Sequence, residues 1–312
     1  MADVLVAGPL APEALARLRA TGARVEVYAD GVGGELSPEA AAARALVPLL
    51  TTRVDRGLLA RLPRLELVAN VSAGVDHVDL DACRARGVAV TNTPDVLTDA
   101  TADLAFALLL AAARRVGEAE RVLRSGGFPP WNPAFMLGKR VAGATLGVVG
   151  FGRIGRAVAR RAEGFGMRVL YTSRANPPPG APAAERVPLA ELLARADFVS
   201  LHVPLSAATR HLIGRAELAR MKPGSVLVNT SRGAVVDEEA LAEALAHGPL
   251  FAAGLDVYVH EPKVHPALLL RENAVLVPHI GSAEAETRRA MAMLAADNVV
   301  ALLEGRPLLT PV

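Results

Sequence analysis

The sequence contains little cysteine, few aromatic residues and no long hydrophobic run. Cys83 is the only cysteine among 312 residues, which excludes an internal disulfide and a cysteine-based metal cluster. Basic residues (34) and acidic residues (32) nearly balance, and aromatic residues make up 4%, so no nucleic-acid-binding surface is indicated. The most apolar run, from Leu104 to Ala113, is far shorter than the roughly 20 residues that a membrane span requires. We therefore expect a protein that binds neither nucleic acid nor a membrane.

Signals for export and for metal binding are also missing. The first residues, MADVLVAGPL, enter a β-rich pattern at once, without the basic segment and cleavage site of a signal peptide. No spacing of histidine, cysteine or carboxylate residues is typical of a metal site. We therefore expect a cytoplasmic protein that needs no metal ion.

What the sequence does contain is a regular alternation of short apolar runs and helical patterns. Hydrophobic residues make up 52% of the chain, and the apolar runs form two series. The first series extends from VLVAG (4–8) to VAVTNT (88–93), and the second from ATLGVVG (144–150) to AVLVPHI (274–280). This alternation predicts an α/β fold of two Rossmann-like domains, each with a doubly wound parallel sheet, and an active-site cleft between the domains.

Three segments outside the two series set the predicted domain boundaries. A long helix is predicted from Thr98 to Ser125, and the segment GGFPPWNPAFMLG after it indicates a linker or an inserted loop. A helical pattern from Ala283 to about Glu304 has no further sheet to complete, so we expect it to pack on the first domain. The predicted domains are residues 1–97 with about 286–312, and residues 98–285.

A glycine-rich stretch, GFGRIG, lies between the apolar pattern TLGVV and the helical run RAVARRAEGFG. Gly150, Gly152 and Gly155 have the G-x-G-x-x-G spacing of a dinucleotide-binding turn. In such a turn the first glycine permits the bend, the second lets backbone N–H groups approach a pyrophosphate, and the third allows the helix to pack on the strand. Arg153 and Ile154 fill the positions between, at the positive end of the predicted helix. The pattern predicts a dinucleotide site in the second domain; an ordinary strand–helix turn is the alternative.

The residues after the next apolar run bear on which dinucleotide is bound. Chains that bind NAD usually place a carboxylate there to accept hydrogen bonds from the adenosine ribose. This chain has Ser173 and Arg174 instead, a hydroxyl and a planar cation that suit a 2′-phosphate. We predict that NADP(H) is preferred and that NAD(H) use is possible. The alternative is that Arg174 is only a solvated loop charge.

Three polar residues follow apolar runs in the second series, where strand ends meet a ligand-binding edge. They are Arg232 in VNTSRGAVVDEEAL, Glu261 in GLDVYVHEP and His279 in VLVPHIGSA. Reduction of a 2-oxo acid needs a cation for the carboxylate, an acid for the carbonyl oxygen, and a partner that orients that acid. Taken singly, the arginine could cap a strand end, the glutamate could be a solvated loop acid and the histidine could be structural. Together, after a nucleotide turn, they indicate a catalytic site.

The chain resembles the D-2-hydroxyacid dehydrogenases and, within them, is most similar to the glyoxylate/hydroxypyruvate reductases. The resemblance covers nearly the whole chain and is carried by NVSAGVDHVDL, VGFGRIGRAVARR, LHVPLSAATRHLI, MKPGSVLVNTSRGAVVDEEAL, GLDVYVHEP and PHIGSA. It implies that the catalytic arginine, glutamate and histidine of the family correspond to Arg232, Glu261 and His279. It also implies that the backbone N–H groups of Ser72–Gly74 (Ser72, Ala73, Gly74) bind the substrate carboxylate; a plain connection to the next helix is the alternative.

The resemblance has further implications for cofactor and partner contacts. Ser282 and Arg232 are expected to bind substrate. Family members are usually homodimers, in which Trp131 would line the substrate pocket of the partner or only pack in the interface. The remaining expected cofactor contacts are Thr98, Pro204, Thr209, Thr230, Asp256, His279 and Gly281. For Asp256 the alternative is a buried structural acid.

The sequence thus leads to one function and two alternatives. The expected function is reduction of glyoxylate or hydroxypyruvate to the D-2-hydroxy acid with NADPH, with His279 as the general acid/base. The first alternative is an NAD-linked relative that acts on another 2-oxo acid, of the 3-phosphoglycerate or D-lactate type. The second is a non-catalytic protein that senses the dinucleotide through the same fold.

Overall fold

The computed structural model describes residues 3–312, in which contacts divide the chain into two compact units. The first unit comprises the residues up to Leu97 together with Ser282–Val312, and the second comprises Thr98–Gly281. The contacts place the return to the first unit at Ser282, whereas the sequence analysis places it at about residue 286. Each unit has its own parallel sheet with helices, which confirms the predicted α/β class.

The strands are short, with two to six residues each, and strands and helices are numbered along the chain. The strands are β1 (Val4–Ala7), β2 (Val25–Tyr28), β3 (Ala45–Pro48), β4 (Leu67–Ala69), β5 (Ala89–Thr91), β6 (Thr145–Val149), β7 (Arg168–Thr172), β8 (Glu185–Arg186), β9 (Phe198–Leu201), β10 (Ser225–Asn229), β11 (Leu250–Leu255) and β12 (Ala274–Leu276). The helices are α1 (Pro12–Arg19), α2 (Pro38–Ala41), α3 (Arg56–Arg61), α4 (Leu80–Ala85), α5 (Thr98–Ala113), α6 (Val116–Arg124), α7 (Arg153–Glu163), α8 (Leu189–Arg195), α9 (Arg215–Arg220), α10 (Glu238–His247), α11 (Pro266–Leu269) and α12 (Ala285–Leu303).

The order of the strands fixes where polar loops come together. The first unit has the order β2-β1-β3-β4-β5, and the second has β12-β11-β10-β9-β6-β7-β8. All paired strands run parallel. In the second sheet β6 lies between β9 and β7, so strand order reverses there, and ligands of such sheets bind at the carboxyl edge beside this reversal.

The central strands are buried along their whole length. β1, β3, β9 and β10 have no exposed residue, as expected for parallel strands whose two faces are both covered. In the second unit, α5 and α7 pack with the sheet around Phe198, and the helices α8–α10 form a core with Leu192 and Leu193. The apolar runs therefore form a rigid frame, and the polar residues at strand ends remain for chemistry.

The single helix predicted from Thr98 to Ser125 is wrong. The helix is interrupted between α5 and α6, where Arg115 adopts the left-handed conformation with φ +56°. The carbonyl of Ala113 accepts the N–H of Lys139 at 2.7 Å, which ends α5, and Arg115 pairs with Glu118 at 2.6 Å at the start of α6. The two helices also differ in burial: α5 is mostly buried, whereas no residue of α6 is.

The chain ends within the first unit. Helix α12 packs on α1, with an ion pair of 3.0 Å between Arg17 and Asp297. The buried side chain of Asn298 accepts the N–H of Leu309 at 2.9 Å, and the N–H of Val312 donates to Val90 at 2.9 Å. The last residues are thereby attached to the β5 edge of the first sheet.

Two kinds of feature are absent from residues 3–312. No helix in this range combines the length and the apolar character needed to cross a bilayer. The described histidine, cysteine and carboxylate side chains form no group of three or more that could hold a metal ion. Cys83 is buried and has no disulfide partner in this part of the chain.

Candidate active site

The glycine-rich turn joins β6 to α7, and its glycines are required for different reasons. Gly150 has φ +94°, and a Cβ there would lie 2.5 Å from the carbonyl oxygen of His202. A Cβ at Gly155 would overlap the carbonyl oxygen of Gly150, so α7 approaches the strand only because this residue has no side chain. A Cβ at Gly152 would meet nothing within 4 Å. The protein itself does not require glycine at that position, but a ligand that approaches the backbone closely does.

The amino end of α7 has the donors that a pyrophosphate needs. Gly152 is the N-cap and provides no side-chain cap for the N–H groups of the first turn. These groups and the helix dipole favour an anion at this end of the 11-residue helix. The turn, the open position at Gly152 and the uncapped helix fit the pyrophosphate of a dinucleotide, with Arg153 and Ile154 in the first turn.

Ser173 and Arg174 begin the loop that follows β7. The N–H of Gly150 donates to the carbonyl of Thr172 at 2.9 Å, so this loop starts directly beside the glycine turn. Ser173 is half-buried and Arg174 is exposed. Sequence reasoning missed Arg186, whose guanidinium donates to the carbonyl of Ser173 at 2.7 Å. No pattern in the sequence marks this contact, because strand β8 is only two residues long.

The other expected cofactor contacts in the second unit occupy three places. Thr209 donates its hydroxyl to the carbonyl of Pro204 at 2.6 Å and so closes the turn after β9. Thr230 follows β10 directly; its Oγ1 is buried and has no hydrogen-bond partner among the described residues. Thr98 begins α5. The buried hydroxyl of Thr230 is a polar atom that a bound ligand could satisfy.

His279 and Glu261 form the central contact of the site. Nδ1 of His279 lies 2.7 Å from Oε2 of Glu261, and Oε1 of the same carboxylate accepts the N–H of Tyr258 at 3.0 Å. Burial opposes ionisation, but the hydrogen bonds from His279 and Tyr258 and the charge of Arg232 hold the pKa of Glu261 below its ordinary value. With Nδ1 directed at the carboxylate, Nε2 is the nitrogen left to exchange a proton with a substrate.

Asp256 holds the backbone that carries His279. Its carboxylate accepts the N–H groups of Ile280 at 2.6 Å and Gly281 at 2.8 Å, and its carbonyl accepts the N–H of His279 at 2.9 Å. His279 has φ +52°, a strained conformation for a residue with a side chain. Burial raises the pKa of Asp256. This geometry matches the structural alternative for Asp256, and its contact with a cofactor stays a prediction.

Arg232 follows β10, the neighbour of β11 in the sheet. The side chain of Asn229 donates to the carbonyl of Arg232 at 3.0 Å and accepts from the N–H and hydroxyl of Ser231. This Asn turn fixes the backbone from which the guanidinium extends. Because the charge of Arg232 lowers the pKa of Glu261, the two side chains belong to one electrostatic environment.

Two supporting residues were missed by sequence reasoning. The hydroxyl of Tyr258 donates to the carbonyls of Leu255 (3.2 Å) and Val277 (3.0 Å) and so ties the ends of β11 and β12 together. Burial raises the pKa of Tyr258 to about 12, so the hydroxyl stays protonated and keeps donating. Glu238, at the start of α10, is buried and accepts the N–H of Val259 at 2.9 Å. The contacts of Tyr258 with Val277 and of Glu238 with Val259 join residues that are 19 and 21 positions apart in sequence.

In the first unit, the Ser72–Gly74 loop follows β4 and offers donors only. The carbonyl of Ser72 accepts the N–H of Thr93, and the carbonyl of Ala73 accepts the side chain of Asn92 at 2.8 Å. The carbonyl of Gly74 accepts the hydroxyl of Ser72 at 2.6 Å. Within residues 3–312, the N–H groups of Ser72, Ala73 and Gly74 donate to no other residue. Occupied carbonyls and available N–H groups suit a carboxylate.

Two expected contact residues remain, Trp131 and Ser282. Trp131 is 87% exposed, in a segment without helix or strand. Ser282 opens the return of the chain to the first unit, and its carbonyl accepts the N–H of Glu284 at 2.9 Å. The roles expected for both stay predictions.

The second unit therefore holds, at the carboxyl ends of its strands, a glycine-rich turn and a His279–Glu261 pair whose carboxylate feels the charge of Arg232. Such an arrangement can bind an anionic carbonyl compound, polarise its carbonyl and deliver a proton as a hydride arrives. The carboxylate partner of the histidine fixes the tautomer and stabilises the imidazolium.

Comparison with known proteins gives consistent matches. The family model for the NAD binding domain of D-isomer specific 2-hydroxyacid dehydrogenases matches residues 106–281. A glyoxylate reductase of Thermococcus litoralis is 51% identical over 267 residues, which are 84% of this chain and 81% of that protein. The crystal structure of a glyoxylate reductase from Paecilomyes thermophila has a TM-score of 0.90 at 36% identity and covers 99% of this chain and 97% of its own. An NADPH-dependent glyoxylate/hydroxypyruvate reductase from Sinorhizobium meliloti, in complex with NADP and malonate, has a TM-score of 0.88 at 37% identity and covers 99% and 96%.

Proposed function

This chain belongs to the D-isomer-specific 2-hydroxyacid dehydrogenase family, and from that premise we propose that it reduces glyoxylate or hydroxypyruvate to the D-2-hydroxy acid with NADPH. The observation that carries the proposal is the contact of 2.7 Å between His279 and Glu261 beside the charge of Arg232. The relatives named as glyoxylate reductases support the choice of substrate.

Each residue of the site has a defined task in this proposal. A reduced nicotinamide, when bound, supplies the hydride. Arg232 binds the substrate carboxylate and polarises the carbonyl through its planar fork of donors. His279, protonated and held by Glu261, donates the Nε2 proton to the carbonyl oxygen as the carbon is reduced. The N–H groups of the Ser72–Gly74 loop and the hydroxyl of Ser282 provide further donors for the substrate.

The cofactor-binding residues are proposed on the same basis. The turn of Gly150, Gly152 and Gly155, with Arg153 and Ile154, binds the pyrophosphate at the amino end of α7. The remaining proposed cofactor contacts are Thr98, Pro204, Thr209, Thr230, Asp256, His279 and Gly281. The buried hydroxyl of Thr230, which has no hydrogen-bond partner among residues 3–312, is the strongest support among them.

The preference for NADP(H) is the finer part of the proposal. The position after β7 has no carboxylate to repel a 2′-phosphate, and the guanidinium of Arg174 has no hydrogen-bonded or ion-pair partner among residues 3–312. A complex with NADP is known for the Sinorhizobium meliloti reductase. NAD(H) remains usable, because Ser173 can still accept from a ribose hydroxyl.

We also propose that the chain forms a homodimer through α6 and the segment that follows it. Val116, Leu123, Phe128, Trp131 and Leu137 are each more than half exposed, and such a set of apolar side chains is typical of an interaction surface. Light scattering on the wild type and on Phe128→Asp tests this: a dimer that becomes monomeric supports the surface, and a monomeric wild type refutes it.

Initial rates test the enzymatic proposal directly. NADPH and NADH are each oxidised against glyoxylate, hydroxypyruvate and pyruvate, with enantiomer analysis of the product. We expect the highest kcat/KM for NADPH with glyoxylate or hydroxypyruvate and formation of D-glycerate from the latter. No turnover of any 2-oxo acid would leave the non-catalytic alternative, and turnover mainly with NADH would overturn the cofactor preference.

A further inference from the structure

The loop after β7 is held at its start by one side chain from β8. The two strands pair in parallel, with Tyr171 opposite Arg186. The guanidinium of Arg186 donates through Nη1 to Oδ1 of Asn176 at 2.6 Å and through Nη2 to the carbonyl of Ser173 at 2.7 Å. A longer contact of 3.4 Å reaches the carbonyl of Arg174. One planar group thus bridges both ends of the stretch from Ser173 to Asn176.

Other hydrogen bonds to this stretch are few. In the described chain, the bonds that reach Ser173, Arg174 and Asn176 all come from Arg186. The loop continues with consecutive prolines and Gly180, and all of these residues lie at or near the surface. Without Arg186, no hydrogen bond from another part of the described chain would hold Ser173, Arg174 or Asn176.

The charges around the loop favour an anion. Glu185, the nearest acid on β8, is engaged by Arg195 through two contacts of 2.8 and 2.9 Å. Arg195 also binds Glu191 on α8. This acid therefore does not neutralise Arg174 or Arg186, and the loop start carries two guanidinium groups.

The loop start also lies where the dinucleotide is expected. The carbonyl of Thr172, one residue before Ser173, accepts the N–H of Gly150 at 2.9 Å. In a dinucleotide-binding unit, the residues after this second strand meet the adenosine ribose. Any residue that fixes their backbone therefore affects how the ribose substituent is recognised.

We propose that Arg186 is a positioning residue for cofactor selection, which holds the Ser173–Asn176 stretch so that Ser173 and Arg174 meet the 2′-phosphate of NADP(H). The inference rests on the proposed function, since it requires an NADP(H) site at this loop. Its physical basis is pre-organisation: a loop ordered before binding does not lose its conformational freedom when the phosphate arrives.

The test uses the full-length protein and measures binding as well as turnover. Calorimetry gives the Kd of NADP⁺, NAD⁺ and adenosine 2′,5′-bisphosphate for the wild type, Arg186→Ala, Arg186→Lys, Arg174→Ala and the double variant. Asn176→Ala removes one end of the bridge without changing charge. Arg140→Ala is the matched control, because Arg140 is an exposed arginine of the same unit that also donates to a backbone carbonyl, that of Ala142 at 3.1 Å.

We expect Arg186→Ala to weaken the binding of NADP⁺ and adenosine 2′,5′-bisphosphate by about tenfold, because the released Ser173–Asn176 stretch must then be ordered when the phosphate binds. The Kd of NAD⁺ should change by less than about twofold. The KM for NADPH should rise, while kcat with saturating NADPH stays the same. Arg186→Lys should restore part of the loss, and Asn176→Ala should weaken NADP⁺ in the same direction. In the Arg174→Ala background, Arg186→Ala should add little, because it acts through Arg174.

Several results would overturn the proposal. Unchanged binding of NADP⁺ by Arg186→Ala would do so, as would equal losses for NADP⁺ and NAD⁺. Additive losses in the double variant would mean that Arg186 contacts the phosphate independently, and would also overturn it. If Arg174→Ala weakens the binding of NADP⁺ while Arg186→Ala does not, the positioning role of Arg186 is wrong but the proposed NADP(H) site stands. If the wild type binds both cofactors equally and Arg174→Ala changes neither, the proposed cofactor preference fails with it.

Discussion

Two loops of the second unit present functional side chains by different means. The loop of His279 is held from beneath by the buried carboxylate of Asp256 and laterally by Glu261. The loop of Ser173 and Arg174 is held by one exposed guanidinium, that of Arg186. A proton-transfer group must keep one geometry within tenths of an ångström, whereas recognition of a phosphate by charge tolerates more movement. The stronger support is therefore given to the loop whose side chain needs the more precise position.

The largest effect is expected at His279, in the more strongly supported loop. We expect His279→Ala to lower kcat by about 10²- to 10⁴-fold, the usual contribution of a general acid. Binding of NADP⁺ should change little, because the pyrophosphate turn is untouched. Stopped-flow oxidation of NADPH with glyoxylate and calorimetry with NADP⁺ measure the two effects. His247→Ala, at an exposed histidine of α10, is the control, and a near-normal rate in His279→Ala would reject the catalytic assignment.

A second large effect is expected at Asp256. Asp256→Ala leaves the N–H groups of Ile280 and Gly281 without their acceptor, at a cost of about 1–3 kcal/mol for the buried N–H of Gly281 and less for that of Ile280, which is partly exposed. The free energy of unfolding and kcat should both fall, since the strained backbone of His279 loses its restraint. Asp256→Asn keeps an acceptor and should lose less of each. Chemical denaturation and rate measurements check this, and a fully active, stable Asp256→Ala would contradict the positioning role.

Substitutions of Ser173 should change the preference between NADPH and NADH rather than the maximal rate. Ser173→Asp places a carboxylate against the expected 2′-phosphate, and we expect the ratio of kcat/KM for NADPH over NADH to fall by about tenfold or more, since like charges in contact cost several kcal/mol. Ser173→Ala removes the hydroxyl without adding charge and should shift the ratio less. An unchanged ratio in Ser173→Asp would discard the explanation given for this position.

The smallest expected effect concerns pH. Because the pKa of Glu261 is lowered in the folded protein, its ionised form stabilises the fold fully above its ordinary pKa. That contribution is lost as pH falls through the lowered value. The difference in Tm between wild type and Glu261→Gln should therefore narrow as the pH falls below the ordinary pKa of glutamate, about 4.3. Glu304→Gln, at an exposed ion pair of the first unit, should show a small difference at each pH.

Much of the fold follows from the sequence, because short apolar runs that alternate with helical patterns are typical of strands buried in a parallel sheet. The positions of Arg232, Glu261 and His279 could be inferred from their place after such runs, together with the family resemblance. The break at Arg115 could not, since it depends on the N–H of Lys139 reaching the carbonyl of Ala113. The same applies to the contact of Asp256 with Ile280.

In the first unit, the sequence identifies a candidate loop but not which of its atoms are available to a ligand. The Ser72–Gly74 loop could be proposed from its resemblance to a carboxylate-binding turn. Which atoms are available could not be inferred, because this depends on Asn92 and Thr93, which follow the neighbouring strand β5. Occupied carbonyls are a property of the tertiary structure alone.

The Ser72–Gly74 loop, which has available N–H groups and occupied carbonyls, should discriminate between inhibitors by their charge. A surface with N–H groups available and every carbonyl engaged can solvate a negative charge, but it has nothing to offer an amide NH₂ or an ammonium group. Oxamate, with its carboxylate, should therefore compete with glyoxylate, whereas oxamide of nearly the same size should not. Binding at this loop should then depend on the negative charge of the ligand rather than on its shape.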